Sequence, residues 1–537
     1  MKNKKTLFII SLLPITLCLI SCNQYKPVLT STSYKHYIDS FNALDNELYQ
    51  MGIYPNEKAW NFLSENIPLF DCPDKQLEET YYFRWWTYRK HIRKTTEGYI
   101  ITEFLPDVPW AGTYNAISCP VGHHFYEGRW LKDPKYLTDY ARFWLIGSGK
   151  KAVRSYSNWI ANAIFNHTQI HENNELLREL LPALEENFNK WENERRDSTH
   201  LFWQIDDRDG MEISVSGSYG KPYGQGYRAT INSYMYGDAL AIADISKKLG
   251  DKEKAAFFQT KADEIKQLIN NKLWDKEAEF YKVIPMNYDG QFSDARELHA
   301  YTPWYFNIPE NHQNVAWKYL MDPDHFYAQY GPTTVEQCHP LFSVAYTGHE
   351  CQWNGASWPF ATSITLTALA NYLNNSEQNI ISDEDFFILL TNYARSHRIT
   401  FENGKSQPWI DENLNPFTGD WISRTRLKQW NNGTWDKDKG GEERGKDYNH
   451  STFVDLIICG LAGIRPSDSN DITINPLIPQ EKWDYFCLEG VPYKGHNITV
   501  YYDRTGNHYK RGKGYFVYVD GKQKFNSLEY KKITINL

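Results

Sequence analysis

Paired helical patterns and a late change of periodicity predict the fold class of this 537-residue chain. From about residue 45 to 465, apolar residues recur at the 3.6-residue spacing of helices, and the helices come in pairs. Long loops rich in Trp, Gly, Pro and charged residues separate the pairs, and such loops are uncommon in compact domains unless they are functional. Helical hairpins closed into a ring predict a mainly α fold, an (α/α)6 toroid, followed by a small C-terminal β-domain.

The clearest hairpin lies between residues 231 and 273. One apolar face runs from Ile231 to Leu249, Gly250 and Asp251 interrupt it, and a second face runs from Phe258 to Leu273. Two helices joined by so short a break pack side by side and antiparallel. The other helical pairs show the same arrangement, which favours a ring of similar units.

The last part of the chain has the period of β-strands. Beyond Pro466 apolar and polar residues alternate, and the run Tyr515–Val519 meets Asp520–Gly521, a strong hairpin turn. Short strands separated by turns predict a β-sandwich-like domain over residues 466–537. The helical catalytic domain is predicted over residues 45–465.

The first 22 residues have the form of an export signal. Three lysines precede an apolar stretch from Leu7 to Ile20, which is too short to span a bilayer comfortably. The sequence Leu-Ile-Ser-Cys that ends at Cys22 resembles a bacterial lipobox, whereas an ordinary signal peptide ending nearby is the alternative. The prediction is a lipoprotein signal peptide over residues 1–21, a linker over 22–44, and lipid anchoring through Cys22 in the bacterial cell envelope.

Charge and cysteine spacing exclude several partners. The chain has 58 basic and 66 acidic residues and a net charge of -8, which argues against nucleic-acid binding because phosphate contacts need a basic stripe. Removal of the signal deletes three lysines and lowers the net charge to -11, so membrane attachment would depend on acyl chains. The six cysteines beyond Cys22 show no metal-finger spacing. No metal and no cofactor are predicted, and both disulfides and free thiols remain open.

Two loops carry the acids that glycoside cleavage needs. One carboxyl must protonate the leaving oxygen, and a second must activate water. The first loop contains Asp206–Ser214 and directly precedes a helix, and the second contains Trp409–Gly419. An aromatic fraction of 16% suits sugar rings, although it suits a large core equally well.

Four stretches, taken in order, resemble family 63 glycoside hydrolases and their trehalase relatives. The first loop resembles the family's ESGWDxS motif and puts Glu212 at the catalytic acid, and the second resembles FExYDPxTG and puts Glu412 at the general base. Gln352–Pro359 resembles the WRGPxW loop that lines the sugar site, and Tyr448–Ser451 lies where the family closes its barrel. The resemblance spans roughly residues 80–465.

This resemblance implies a six-hairpin glycoside hydrolase, most similar to bacterial mannosylglycerate-hydrolase-like proteins. It implies hydrolysis of oligosaccharides or polysaccharides by an inverting, two-carboxylate mechanism. Glu212 stands where the family has Asp, Asn354 replaces the loop arginine, and no arginine follows Ser214. These departures put the family's preference for glucose in doubt.

Each candidate has an alternative explanation. Asp209 is a second candidate for the acid, since Glu212 could instead interact with a helix dipole. Glu412 could be a turn acid. A His-His pair beside Glu127 suggests a metal, but no third ligand at a known spacing accompanies it, so hydrogen bonding is favoured. The residues predicted to contact substrate are Trp353, Trp358, Asn354, Arg228, His123, Glu127 and His450.

Two other functions compete with hydrolysis. Helical toroids also carry polysaccharide lyases, and Tyr448, His450 and Arg444 could act as base and charge neutraliser in β-elimination. The acidic chain would attract uronic acids poorly unless the cleft itself were basic. A surface glycan-binding protein without catalysis is the other alternative, and the retained acids weigh against it.

Overall fold

The computed structural model describes residues 26–49, 52–218, 224–286, 290–345, 351–376, 380–424, 440–441 and 443–537. The predicted signal peptide and Cys22 lie outside these ranges. In the part of the chain described, no helix is both long and apolar enough to cross a bilayer. The six cysteines that the structure describes are free thiols.

Helices are the main secondary structure of the chain up to residue 461. The α-helices are α1 (Lys35–Leu44), α2 (Asn56–Asn66), α3 (Lys75–Lys90), α4 (Val121–Gly128), α5 (Lys135–Leu145), α6 (Ile160–Ile170), α7 (Asn174–Arg195), α8 (Val215–Ser218), α9 (Ala229–Lys248), α10 (Lys252–Leu268), α11 (Thr302–Tyr305), α12 (Pro359–Asn375), α13 (Asp383–Ser396) and α14 (Phe453–Asp455). Short 3-10 helices cover Ser31–Tyr34, Thr113–Asn115, Ser148–Lys151, Asp206–Asp209, Leu298–Tyr301 and Asn311–Tyr319, and π-helical turns cover Ile269–Leu273 and Leu456–Leu461.

Burial separates inner helices from outer ones. α9 is buried over almost its whole length, whereas α10 buries only Phe258, Ala262 and Ile265. A helix that is apolar all round belongs in a core, and one with a single apolar stripe belongs at a surface. Gly250 joins the two helices at φ +88°, a conformation that favours glycine. The predicted hairpin therefore has α9 inside and α10 outside.

The inner helices contact one another in a closed circuit. The contacts run from α4 to α6, α9, α11 and α12, and return to α4 through the turn Leu456–Leu461 and α14. The outer helices pack against this circuit, with α5 on α7, α7 and α10 on α9, and α13 on α12. The mainly α toroid predicted from the sequence is confirmed.

Buried polar contacts close the ring between α4 and α14. Asp455 Oδ1 accepts hydrogen bonds from Arg129 Nη2 and Trp130 Nε1, each at 2.7 Å. Glu127 Oε2 accepts from the backbone N–H of Val454 at 2.9 Å and is fully buried. Glu127, predicted to contact substrate, thus holds the start of α14, and burial raises its pKa to about 8.

We expect Asp455→Ala to lower the free energy of unfolding by about 3–5 kcal/mol, because it leaves the buried Arg129 guanidinium without its carboxylate. Urea denaturation followed by circular dichroism measures this change. Asp468→Ala is the matched control, since Asp468 pairs with Lys248 at the surface and should change stability by less than about 1 kcal/mol. If both variants lower the free energy of unfolding by the same small amount, Asp455 does not stabilise the closure of the ring.

The N-terminal segment packs on both parts of the fold. Ile38 and Phe41 of α1 are buried, and α1 contacts α3, so this helix, which lies within the linker predicted over residues 22–44, packs against the helical domain. Arg511 Nη2 donates to the backbone oxygen of Pro27 at 2.7 Å. The N-terminal end of the described chain therefore lies against the C-terminal β-domain.

Short strands border the loops, and longer ones form the C-terminal domain. The strands are β1 (Leu69–Asp71), β2 (Ile92–Thr95), β3 (Gly98–Ile101), β4 (Trp203–Ile205), β5 (Gln225–Tyr227), β6 (Trp274–Asp275), β7 (Phe280–Tyr281), β8 (Ile284–Pro285), β9 (Arg398–Thr400), β10 (Ser406–Pro408), β11 (Ile464–Arg465), β12 (Asp471–Ile474), β13 (Tyr485–Tyr493), β14 (His496–Asp503), β15 (Gly514–Val519), β16 (Lys522–Ser527) and β17 (Ile533–Asn536).

The C-terminal β-domain contains two antiparallel sheets. Five strands pair in the order β1-β13-β14-β15-β16, and three pair in the order β11-β12-β17. Asp520 and Gly521, both at positive φ, join β15 to β16, as the turn signal predicted. The C-terminal β-domain of the predicted fold class is confirmed, and β1 from the N-terminal part of the chain completes its larger sheet.

Candidate active site

Three acidic residues and a group of aromatic residues line a cleft of about 280 Å³. This volume is at the lower end of what small-molecule sites offer. The lining comes from the long loops and from the start of α12. The lining residues are Glu103, Phe104, Trp110, Ile117, Cys119, Tyr156, Gly210, Glu212, Cys351, Trp353, Trp358, Phe360, Glu412, Arg444, Tyr448 and His450.

Glu212 reaches the cleft after a tight turn. The 3-10 turn Asp206–Asp209 ends at Gly210, whose φ of +75° redirects the chain before Glu212. Trp353 Nε1 donates a hydrogen bond to Glu212 Oε2 at 2.8 Å. The pKa of Glu212 is raised to about 8, mainly because the surrounding residues desolvate it and in smaller part because the charge of Glu412 is nearby. Such a carboxyl keeps its proton at neutral pH and can act as a general acid.

Glu412 lies in the same cleft with a cation beside it. The Asp411 carboxylate accepts a hydrogen bond from the Glu412 backbone N–H at 2.8 Å and another from Ser423 Oγ at 2.9 Å, which fixes this loop. Arg444 Nη2 lies 3.9 Å from Glu412 Oε1. A guanidinium at this distance favours the negative charge of a carboxylate, as a general base requires.

The backbone joins the loops that carry these groups. Ser357 and Leu414 exchange two backbone hydrogen bonds of 2.9 Å, and the Trp353 N–H donates to the oxygen of Ile213 at 3.0 Å. The loop that contains Trp353 therefore lies between the Glu212 segment and the Glu412 segment. This explains how two acids 200 positions apart in the sequence come to share one cleft.

Glu103 is a third acid of the cleft, which the sequence analysis did not identify. Its carboxylate accepts a hydrogen bond from the Tyr448 hydroxyl, and its backbone oxygen accepts one from Asn449 N–H at 3.1 Å. Burial raises the pKa of Glu103 to about 8, with smaller contributions from the charges of Glu412 and Glu212. Glu103 comes directly after β3 in a stretch without a motif, so no sequence signal identified it.

Aromatic side chains form one wall of the cleft. Trp353 and Trp358 stack with ring centroids 4.2 Å apart and planes at 11°, and Phe360 meets Trp353 edge-on at 6.3 Å. His450 packs edge-on to Tyr448 at 3.9 Å, and burial lowers its pKa well below the ordinary value. The structure thus places Trp353, Trp358 and His450 where the sequence analysis expected substrate contacts, and such faces suit the C–H faces of sugars.

The alternative acid Asp209 does not line the cleft. Its carboxylate accepts a hydrogen bond from Thr230 Oγ1, and the side chain is buried. Burial raises its pKa, while the nearby Arg228 charge lowers it. The left-handed turn at Gly210 separates the two candidates, so that Glu212 rather than Asp209 lies opposite the second loop.

Four further residues predicted to contact substrate also lie outside the cleft lining. Asn354 donates to the backbone oxygen of Leu341 at 3.0 Å and thus fixes its own loop. His123 is buried between the rings of Phe360 and Trp159, and burial lowers its pKa well below the ordinary value. The remaining two are Glu127, described above, and Arg228.

Arg228 and Glu297 contact the residues on either side of Glu212 and stabilise that segment. Arg228 Nη2 lies 3.5 Å from Ser214 Oγ, and Nη1 lies 3.9 Å from Met211 Sδ. Glu297 Oε1 accepts hydrogen bonds from the two backbone N–H groups that follow Ser214, at 2.9 and 3.0 Å. These contacts bracket Glu212 on both sides and fix the backbone that carries it.

One group of potential metal ligands lies away from the cleft. His325, Glu336 and Cys338 have ligand atoms within 4.8 Å of one another. Glu336 Oε2, however, already accepts hydrogen bonds from Arg296 Nη1 at 2.9 Å and His325 Nδ1 at 3.0 Å. The guanidinium supplies the positive charge that a metal would bring, so this group is a poor cation site.

The residues proposed for β-elimination also meet in the cleft. Tyr448, His450 and Arg444 all line it, but the Tyr448 hydroxyl donates to Glu103, and burial raises its pKa well above the ordinary value. A phenol with so high a pKa stays protonated at neutral pH, so the phenolate that would have to act as the base is scarce. The geometry therefore favours hydrolysis over elimination.

A protonated carboxyl, a second carboxylate and an aromatic wall inside a helical toroid are the features of a glycoside hydrolase. The family model described as "Mannosylglycerate hydrolase MGH1-like glycoside hydrolase domain" matches residues 113–451, which is more than half of the chain. The chain belongs to this glycoside hydrolase family. A second model, "Glycosyl hydrolase family 65, C-terminal domain", matches residues 464–524 in the β-domain. The enzyme class and family predicted from the motifs are confirmed.

Solved structures resemble the chain over most of its length. A protein named "Sialidase" matches with a TM-score of 0.86 and 40% identity, over 94% of this chain and 45% of the other. The chain thus spans less than half the length of that protein. The rhamnosidase of family GH78 from Bacillus sp. GL1 matches with a TM-score of 0.53 and 13% identity, over 81% of this chain and 40% of the other. This second likeness concerns the fold alone.

Proposed function

We propose that the protein hydrolyses glycosidic bonds of oligosaccharides and inverts the anomeric configuration. The observation that carries the proposal is the pairing of two different carboxyl environments in one cleft. Glu212 is desolvated and bonded to the Trp353 indole, whereas Glu412 lies beside the Arg444 guanidinium. Environments that separate two carboxyl pKa values assign the acid and the base.

In the proposed reaction, Glu212 gives its proton to the glycosidic oxygen as the C1–O bond breaks. Glu412 takes a proton from a water molecule, whose oxygen forms the new bond to C1 from the opposite face. The water supplies one hydrogen to Glu412 and the hydroxyl to the sugar; Glu412 then releases this proton to solvent, and Glu212 takes up a proton from solvent. The aromatic wall holds the sugar ring and keeps other water away from C1.

The charge of the cleft favours an uncharged sugar at the cleaved bond. Three carboxyl groups line the cleft, and among the described lining residues Arg444 is the only lysine or arginine. Arg444 already lies beside Glu412, so it is poorly placed to neutralise a substrate carboxylate. Cleavage of sialic acids is the second candidate, because the similar protein of 40% identity is named "Sialidase". Glu212 and Glu103, whose pKa values are raised to about 8, are mostly protonated at neutral pH, so Glu412 is the lining carboxylate whose charge an anionic sugar would meet.

A screen with oligosaccharides of glucose, mannose, galactose, rhamnose, sialic acid and uronic acids tests the proposal. Proton NMR of the first-formed sugar reports its anomer before mutarotation. We expect release of a neutral sugar with the anomeric configuration opposite to that of the substrate. Release of sialic acid would favour the second candidate, and a product with the substrate's own anomer would contradict inversion. A rising absorbance of an unsaturated uronate would indicate a lyase.

We also propose that the protein is exported and anchored by acylation of Cys22, on the basis of the lipobox-like sequence. Cys22→Ala should move the protein from the membrane fraction to the soluble fraction, because a protein of this net charge has no other affinity for anionic lipid. Cys18→Ala, within the same apolar stretch, is the matched control and should leave the distribution unchanged. Membrane retention of the Cys22 variant would contradict the anchor.

A further inference from the structure

Trp110 stands apart from the other aromatic residues of the cleft. Trp353, Trp358 and Phe360 are 2–4% exposed, whereas Trp110 lines the same cleft and is 39% exposed. The buried rings therefore form the deep wall, and Trp110 forms the rim. An indole at the edge of a polar cleft offers a flat apolar face together with a polar N–H group, a combination that suits a bound sugar ring.

The ring of Trp110 is held in a fixed position. The Arg444 guanidinium lies over the ring at 5.2 Å from its centroid, and Phe104 meets the ring edge-on at 5.7 Å. The loop that carries it is fixed by Asn115, which accepts a hydrogen bond from Val108 N–H at 2.9 Å and donates one to the oxygen of Pro106 at 2.8 Å. A ring that is already ordered loses little conformational entropy when a ligand stacks on it.

The position of Trp110 relative to the acids indicates which part of a substrate it would meet. Glu212 bonds to Trp353 of the deep wall, so the sugar whose bond is cleaved lies there. Arg444 lies over one face of the Trp110 ring and 3.9 Å from Glu412, so a sugar ring would stack on the other face of the indole. A saccharide that fills the deep wall and continues toward solvent must pass the rim.

We propose that Trp110 is a sugar-binding platform for the leaving-group side of the substrate, where an uncharged pyranose stacks its C–H face on the indole. This inference rests on the proposed function and adds to it that the enzyme acts on a saccharide of at least two rings. The stacked ring holds the glycosidic oxygen near Glu212. Binding energy from this part of the substrate would lower KM for oligosaccharides and would not act on substrates that lack a second ring.

The test compares substrates with and without a second ring. The probes are the glycosyl fluorides of glucose, mannose, galactose and rhamnose in both anomers, each paired with a disaccharide that has the same non-reducing sugar. For the pair that wild-type protein cleaves, Trp110→Ala should lower kcat/KM for the disaccharide roughly tenfold, mainly through KM, because one aromatic contact contributes about this much. Turnover of the fluoride should stay within twofold of wild type.

Two further variants serve as controls. Trp110→Phe keeps an aromatic face and should recover most of the affinity for the disaccharide. Tyr114→Ala removes another ring of the same loop, which is 36% exposed and lies outside the cleft lining. This variant should leave kcat/KM unchanged for both substrates. Unchanged fluoride turnover in Trp110→Ala also shows that the variant is folded.

The outcomes separate this inference from the proposed function. If wild-type protein cleaves neither member of any pair, the proposed function fails. A second outcome is that wild-type protein cleaves a pair while Trp110→Ala lowers kcat/KM equally for both substrates. In that case Trp110 acts through Arg444 on the base, and the proposal of a sugar platform is wrong. An unchanged KM for the disaccharide in Trp110→Ala would also overturn it.

Discussion

Glu412→Gln is expected to lower kcat by roughly 10²–10⁴-fold for disaccharides and glycosyl fluorides alike. The amide cannot take a proton from water, and both substrates need an activated water whatever group leaves. KM should change little, because the base acts on water and the substitution keeps the shape of the side chain. Steady-state kinetics on both substrates measures the effect.

Rescue by azide and a variant at an exposed glutamate are the controls for the role of Glu412. Sodium azide can attack C1 without a general base, so it should restore turnover of the fluoride by Glu412→Gln and give a glycosyl azide of inverted configuration. Glu402→Gln, at an exposed position of the preceding loop, should behave as wild type. A glycosyl azide with the configuration of the substrate would require two displacements at C1, with a covalent intermediate on a residue other than Glu412, and would contradict inversion.

Glu212→Gln is expected to discriminate between leaving groups. Turnover of a disaccharide should fall roughly 10²–10⁴-fold, because a sugar alkoxide leaves poorly without a proton. Turnover of the fluoride should fall far less, since fluoride leaves with little proton assistance. Equal losses on both substrates would show that Glu212 does not act as the acid.

The pH profile follows from the same residue. Because the pKa of Glu212 is raised to about 8, the protonated acid is present below about pH 8, and kcat/KM for a disaccharide should fall above that pH. Glu103 has a pKa of about 8 as well, so Glu103→Gln is the control. The alkaline limb should persist in Glu103→Gln. If the alkaline limb disappears in Glu103→Gln, then Glu103 rather than Glu212 is the group that titrates.

Periodicity and local turn chemistry made much of the fold predictable. The hairpin of α9 and α10 and the turn Asp520–Gly521 depend on residues close in sequence, so their patterns appear directly in the chain. Glu212 and Glu412 were predictable for a related reason, since each lies within a short contiguous stretch that resembles a motif of the family. The structure brings both to one cleft.

Residues that act through long-range packing were not predictable in this way. Glu103 and Trp110 reach the cleft because α4 closes against α14, a contact between parts of the chain more than 300 residues apart. The choice between Asp209 and Glu212 depended on a single backbone angle at Gly210. Asn354 is close to the cleft lining in sequence, and His123 is close to it in space. The Asn354 side chain, however, donates to the backbone oxygen of Leu341, and the buried His123 ring packs against Phe360.

The contact between Pro27 and Arg511 has a consequence for how the enzyme would sit on a membrane. Between an acylated Cys22 and Pro27 there are five peptide units, which can span at most about 18 Å. An anchor at Cys22 would therefore hold the β-domain close to the lipid headgroups. The toroid is joined to the β-domain through β1, so it could not rotate freely relative to the membrane. The enzyme would therefore work with a preferred orientation at the cell surface or in the periplasm.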